Sequence, residues 1–380
     1  MPGERSMRQI FGGLACAILL VWGTISQAAS APTSAPLIAR SLLFGNPSRT
    51  QGRISPDGKW LSWMAPRDGV MNVWVAPAAD PSKARPLTNE KTRPIRQHSW
   101  SPDSSMVLFV NDKGGDENFV LYGVDLATGA EKTFTNFPKT RVVFVGASHT
   151  IKDRILIGLN NRDQRWFDVY SLTPKTGELV LLMRNDGFAG FLIDDSLQVR
   201  VARKPLPTGG TEFYRVAGGK VEAKPFDTVG FEDAATTAPV SLTADGKTLY
   251  WVDSRGRDTV TLIAQDIATG AKTLVAENSK ADIVQALVNP ATGRIEAFAS
   301  NYLKVEWTAI DPAVKGDLDF LKSRLKGEVG VVFRTDADDR WLVGVDPVTG
   351  PSVVYVYDRK PKRLTQLYVG RPELTGAILA

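Results

Sequence analysis

The chain holds 380 residues, with 46 Lys+Arg against 41 Asp+Glu for a net charge of +5, 43% hydrophobic and 23% charged. That balance excludes a disordered chain and provides no basic tail for nucleic acid. One Cys and two His exclude an intramolecular disulfide and leave almost no zinc site; no phosphate loop or metal-binding spacing is present, so no cofactor and no metal are expected.

Arg5 and Arg8 precede an apolar run from Ile10 to Trp22, and Ser26 and Ala28 then occupy the −3 and −1 positions of a cleavage site. This order of charged, apolar and small residues is that of a secretory signal peptide over residues 1–28. The run is too short to span a bilayer, which takes about 20 residues. Cleavage after Ala28 removes Cys16 and leaves a cysteine-free product, suited to an oxidising periplasm. No later segment is long and apolar enough to span a membrane. The expected product is therefore periplasmic or secreted, with no membrane partner after signal removal. Residues 29–50 read as an extension.

From there the chain repeats itself. The phrase Ile54-Ser55-Pro56-Asp57-Gly58-Lys59-Trp60-Leu61-Ser62-Trp63 returns as Trp100-Ser101-Pro102-Asp103-Ser104-Ser105-Met106-Val107-Leu108-Phe109. It returns again as Leu242-Thr243-Ala244-Asp245-Gly246-Lys247-Thr248-Leu249-Tyr250-Trp251. The steps between the Asp residues are 46 and 142, the second close to three times 47. Copies are then due near residues 150, 197, 292 and 339. Lys152 to Ile157, Asp194 to Val199, Thr292 to Ala297 and Asp338 to Val343 stand there. Seven units of about 47 residues account for most of the chain.

Each unit has one plan. A strand leads into the Pro-Asp-Gly turn, in which Pro presets φ and Asp-Gly closes a hairpin. A second strand follows, as at Met106 to Val110, then a polar loop and a third strand, as at Phe119 to Leu126. A turn such as Ala127-Thr128-Gly129 or Ala268-Thr269-Gly270 precedes the fourth strand. Four strands per unit with no helical period predict an all-β fold, a seven-bladed β-propeller of four-stranded antiparallel blades over residues 51–367. No strand exchange between the first and last blades is visible. Trp60, Trp63, Trp74, Trp100, Trp251 and Trp341 fall on strands and suit packing between blades. One stretch departs from the plan. Leu318, Leu321 and Leu325 have helical spacing, which predicts a short helix over 317–326 as a surface connection between blades six and seven.

The blade phrases by themselves resemble TolB-like and WD-type propellers. More specific are Asp112-Lys113-Gly114-Gly115-Asp116-Glu117-Asn118, Gly187-Phe188-Ala189-Gly190-Phe191, Phe231-Glu232-Asp233-Ala234 and Asp253-Ser254-Arg255-Gly256-Arg257-Asp258. These resemble the propeller of prolyl oligopeptidase family serine peptidases, in particular the acylaminoacyl-peptidase-like branch. The resemblance runs from about residue 37 to 380. It implies a propeller that precedes an α/β-hydrolase domain, normally in the same chain, and that limits access of peptides to it. The family's G-x-S-x-G nucleophile turn is not found in these 380 residues; the nearest approach is Gly146-Ala147-Ser148-His149-Thr150. Ser148 and His149 are adjacent and read as turn or strand residues. No catalytic residue is assigned, and residues 368–380 are expected to begin a linker toward the hydrolase domain.

The second-to-third-strand loops carry mixed charge. Read singly, each charge is a solvated loop residue; read together, they form a rim on one face. The candidate substrate-gating or docking residues are Arg67, Asp68, Asp116, Glu117, Arg162, Arg165, Arg255 and Arg257. Asp116 and Glu117 are placed to meet a peptide's amino terminus. Lys91, Arg93 and Arg96 read as a plain surface connection between blades one and two. The function expected is a non-catalytic gating propeller of an exported serine peptidase, acting on peptides. The alternative is a stand-alone TolB-like propeller that serves as a periplasmic protein-binding scaffold.

Overall fold

A computed structural model describes residues 37–377 and 379. The expected signal peptide and Cys16 lie outside the described residues.

The recurring turn forms for a reason that is visible atom by atom. Ser55 Oγ donates to Asp57 (2.6 Å) and accepts from the Trp60 N–H (3.0 Å), while the Ser55 N–H reaches the Trp60 carbonyl (2.9 Å). Ser101 with Asp103 and Met106 repeats this, as does Thr243 with Asp245 and Thr248. A hydroxyl followed two residues later by a carboxylate thus satisfies the backbone groups that the tight turn leaves over. Gly58 and Gly246 take φ of +72° in this turn, where L side chains are disfavoured. Ser104 and Leu197 hold the same region at +62° and +57°.

These turns organise seven antiparallel sheets, each made of consecutive strands. Blade one covers residues 50–86, blade two 98–133, blade three 142–183 and blade four 190–229. Blade five covers 238–276, blade six 283–309 and blade seven 328–369. The chain is a seven-bladed β-propeller. First strands of neighbouring blades touch, three against four and one against seven, so the first strands surround the axis. Blade four carries its outer strand at Asp227–Val229, beside a two-residue hairpin strand at Lys220–Val221.

Blade six has three strands, and the helix Pro312–Arg324 packs beside the third, Val305–Ala309. Asp311 caps the helix by accepting the Ala313 N–H at 2.8 Å, Pro312 opens it, and Lys322 and Arg324 face its C-terminal dipole. The apolar spacing located this helix but set its start five residues late, because the Asp-Pro start signal was not used. It is also more than a surface connection. Val314, Leu318 and Leu321 are buried against Trp341 and Tyr357 of blade seven.

Seven buried apolar clusters occupy the seven seams between blades, among the described residues. Trp63, Trp251 and Trp341 anchor three of them and are at most 1% exposed. Burial of each contributes on the order of 3 kcal/mol. In the closing seam, Ile54, Leu61 and Trp63 of blade one meet Leu342, Leu367 and Tyr368 of blade seven. Hydrogen bonds join the same two blades. The Gly52 N–H donates to Tyr368 Oη (2.8 Å), the Asp336 N–H to the Pro56 carbonyl (2.9 Å), and Arg340 Nη1 to the Gly58 carbonyl (2.8 Å). A Cβ on Gly52 would sit 2.9 Å from Tyr368 Oη, so glycine is needed for this approach.

Tyr368→Phe leaves the buried Gly52 N–H without a partner and is expected to cost about 1–3 kcal/mol in denaturant unfolding. Tyr170→Phe, whose hydroxyl bonds at the surface, is the matched control and should shift stability by less than about 0.5 kcal/mol.

Candidate functional site

Strand direction alternates within each blade, so the first-to-second and third-to-fourth turns share one face of the ring, the turn face. The second-to-third loops and the connections between blades share the other, the loop face. First strands begin, and fourth strands end, on the loop face. Thr50 and Val369, the two ends of the ring, therefore both lie there. They are tied together. Arg371 donates to the carbonyls of Leu42 (2.9 Å) and Gly45 (2.6 Å), and Ser48 donates to Glu373 (2.5 Å).

The candidate charged residues all fall on this loop face, and most are already paired. Arg67 donates to the Thr88 carbonyl at 2.9 Å. Asp68 stands in the two-residue turn between the second and third strands, at φ +53°, and pairs with Lys91 at 2.7 Å. Arg162 grips Asp168 through two bonds of 2.8 Å and adds the Asn185 carbonyl and Asp186. Arg165 pairs with Asp163 two residues away, at 2.8 Å. Arg257 lies 3.9 Å from Glu277. Asp116 turns back onto Asn118, accepting from its backbone and its side-chain nitrogen. Glu117, at φ +59°, is exposed, and no described residue bonds its carboxylate.

Arg255 is the most enclosed of the set. Its guanidinium meets both oxygens of Asp253 (2.6–3.2 Å) and reaches Asp227 of blade four at 2.8 Å. Lys272 adds a second cation to Asp227 at 2.7 Å. Burial pushes the Asp253 and Asp227 carboxyls up. The ion pairs and hydrogen bonds from Arg255, joined by Lys272, outweigh it and hold both below the ordinary carboxylate range. This group clamps the seam between blades four and five. Arg93 also differs from the surface connection read in the sequence. It pairs with buried Asp112 through bonds of 2.6–3.0 Å and so fixes the root of the loop that carries Asp116 and Glu117. These partners are distant in sequence or hidden in a strand, which is why charge runs alone missed them.

On the turn face, adjacent turns are linked directly. The Asp57 N–H reaches Ser104 Oγ (3.1 Å), the Asp195 N–H the Ala244 carbonyl (3.1 Å), and the Ala244 N–H the Thr292 carbonyl (2.9 Å). Ser148 Oγ donates to the Asp195 carbonyl (2.6 Å) and accepts from the backbone of Thr150 and Ile151. It is a turn residue, as read from the sequence, and makes no hydrogen bond to His149. His149 instead lies 3.6 Å from Asp195 and 4.0 Å from Asp336. Lys152 of blade three pairs with Asp336 of blade seven at 2.5 Å. Those blades are not neighbours, so this pair spans the mouth of the central channel. Sequence reading had no signal for it. Among the described residues, no group of three or more His, Cys, Asp or Glu is arranged to hold a metal.

No family model matches the chain. It is 45% identical over 358 residues to dipeptidyl aminopeptidase BIII of Pseudoxanthomonas mexicana, covering 92% of this chain and 52% of that protein. The chain thus spans about half the length of this curated relative. Among solved structures, it is similar to a prolyl endopeptidase (TM-score 0.52, 16% identity, 84% of this chain and 47% of the other). It is likewise similar to a puromycin-hydrolysing peptidase of Mycobacterium tuberculosis (TM-score 0.57, 12% identity, 90% of this chain and 56% of the other). At those identities the two structures attest the propeller fold alone.

Removal of the Arg255 cation strands two enclosed carboxylates with Lys272 as their remaining partner. Arg255→Met is expected to lower stability by about 2–4 kcal/mol in denaturant unfolding. Glu117→Gln, on an exposed loop, should stay within about 0.5 kcal/mol of the parent.

Proposed function

We propose that the chain, which is 45% identical to a dipeptidyl aminopeptidase over 358 residues, is the substrate-gating propeller of an exported serine peptidase of the prolyl oligopeptidase family that acts on short peptides. The observation that carries this reading is the 45% identity to a dipeptidyl aminopeptidase across nearly the whole chain. The scaffold alternative has no relative of comparable identity behind it.

In this reading the α/β-hydrolase partner sits on the loop face, since both ends of the ring leave from there. The hydrolase supplies the acyl-transfer chemistry, and the propeller limits what reaches it. The Lys152–Asp336 pair obstructs the mouth of the channel on the turn face. Peptides approach between the loop face and the hydrolase. A substrate cut two residues from its amino terminus must present its ammonium group at a fixed distance from the scissile bond. Carboxylates serve this purpose, because a desolvated ammonium needs an anion. Glu117 is free to provide one, with Asp116 beside it. The Arg93–Asp112 pair holds their loop in place.

In the peptidase assembled with its hydrolase domain, Glu117→Gln is expected to raise KM at least tenfold for dipeptide substrates with a free amino terminus. The same substrates acetylated at that terminus should be unaffected. An equal effect on both would remove Glu117 from amine recognition. Export is proposed on the same footing, from the charged, apolar and small-residue order at the amino terminus. N-terminal sequencing of the protein recovered from its native cell is expected to begin at Ala29; a chain that begins at Met1 would contradict export by cleavage.

A further inference from the structure

The seam between blades two and three contains a cavity of about 260 Å³, bordered by first-strand residues that surround the central channel. Most of its wall is apolar: Leu108, Leu121, Val142, Ile155 and Phe144. Phe144 is 63% exposed on a first strand, an unusual position for a phenylalanine. Against this wall stand four polar residues, Arg53, Gln97, His98 and Ser99, of which Arg53 and His98 are titratable.

Both have unused capacity. His98 is 3% exposed; its Nε2 shares a hydrogen bond with Ser62 Oγ at 2.9 Å, and its Nδ1 has no partner. Burial, assisted by the Arg53 charge, pushes its pKa down to about 3, so the ring is neutral at ordinary pH. When Ser62 donates to Nε2, the proton lies on Nδ1 as an unused donor. Arg53 is half-buried, and its Nε is also without a partner. The guanidinium lies 4.3 Å from the Phe333 ring centroid, and no described carboxylate pairs with it. Burial lowers its pKa, with no opposing contribution from an anion. Many other arginines of the ring are paired. Arg93, Arg162, Arg200, Arg255, Arg334 and Arg359 each grip a carboxylate. A desolvated cation without an anion is costly, and buried polar groups are normally bonded.

We infer that this cavity binds a carboxylate borne on an apolar group, the chemistry of a short peptide's C terminus, with the Arg53 guanidinium as its ion-pair partner. A guanidinium matches the two oxygens of a carboxylate, and the aliphatic wall with Phe144 takes the adjoining apolar side chain. The inference concerns this chain's own surface and stands apart from the peptidase reading.

Calorimetric titration of the chain tests it with three probes: acetyl-Leu-Phe as the free acid, acetyl-Leu-Phe-amide, and acetyl-Phe-Glu-amide, whose carboxylate is on a side chain. The free acid is expected to bind, and the amide at least tenfold more weakly. Arg53→Met should remove that preference, and Arg53→Lys should retain part of it. Equal binding of acid and amide, or no binding of the acid at millimolar concentration, would overturn the site. Tighter binding of the side-chain carboxylate than of the free acid would overturn the C-terminal source. If Arg53→Met does not fold, the acid-against-amide comparison on the unchanged protein still decides. A chain that binds no carboxylate would leave the Glu117 effect on KM untouched, so the two readings fail separately.

Discussion

Sheets that are apolar on both faces are stable only when each face meets another, and the whole fold depends on that condition. Seven such sheets satisfy it by closing into a ring. The last seam, between blades one and seven, then completes the burial of two faces at once. No strand is exchanged across it. Closure relies on Trp63, Leu342 and Tyr368 in the seam core and on the Gly52–Tyr368 hydrogen bond. An even number of strands in blade seven returns the chain to the face from which it started, and this places both ends together. Arg371, through the carbonyls of Leu42 and Gly45, and Ser48, through the Glu373 carboxylate, then tie the ends together. The face from which both chain ends leave thus follows from the way the ring closes.

The charges serve the same closure. The rim of the loop face looks like a binding surface in sequence, but most of it is occupied by pairs that fasten loops to neighbouring connections. Arg93 fixes the Asp116–Glu117 loop to its own blade, whereas Arg255 joins blade five to blade four. Such enclosed pairs add little net stability over apolar packing, because desolvation offsets their attraction. Their effect is on geometry, since removal of one partner leaves an unmatched charge. The residues available for a ligand are those outside the pairs, and that narrows eight candidates essentially to Glu117 and its neighbour Asp116.

The ring was legible because its turns obey local chemistry. Ser55 with Asp57, Ser101 with Asp103 and Thr243 with Asp245 solve the same backbone problem, so they recur in sequence at the blade period. Copies at Asp194 and Asp338 could be placed by spacing even where the motif had decayed. The helix of blade six was seen through its apolar spacing, yet its burial under blade seven was not, because Tyr357 and Trp341 come later in the chain. Pairings across the ring were illegible for the same reason. Lys152 and Asp336 are 184 residues apart, and nothing local in either turn requires the other. Arg53 and His98 were hidden differently. Each sits on an ordinary first strand, and what distinguishes them is the lack of a partner, which only packing reveals.

The two faces of the ring consequently differ in kind. On the turn face, hydrogen bonds run from turn to turn, and a Lys–Asp pair crosses the channel mouth. On the loop face, the loops differ in length and the chain ends emerge. A ligand that reaches the first strands meets less obstruction from the loop face, the side on which a catalytic partner is proposed to sit. In that arrangement the face that admits peptide is also the face that the partner covers. A carboxylate bound in the cavity beside Arg53 would supply the anion that no described residue gives this guanidinium.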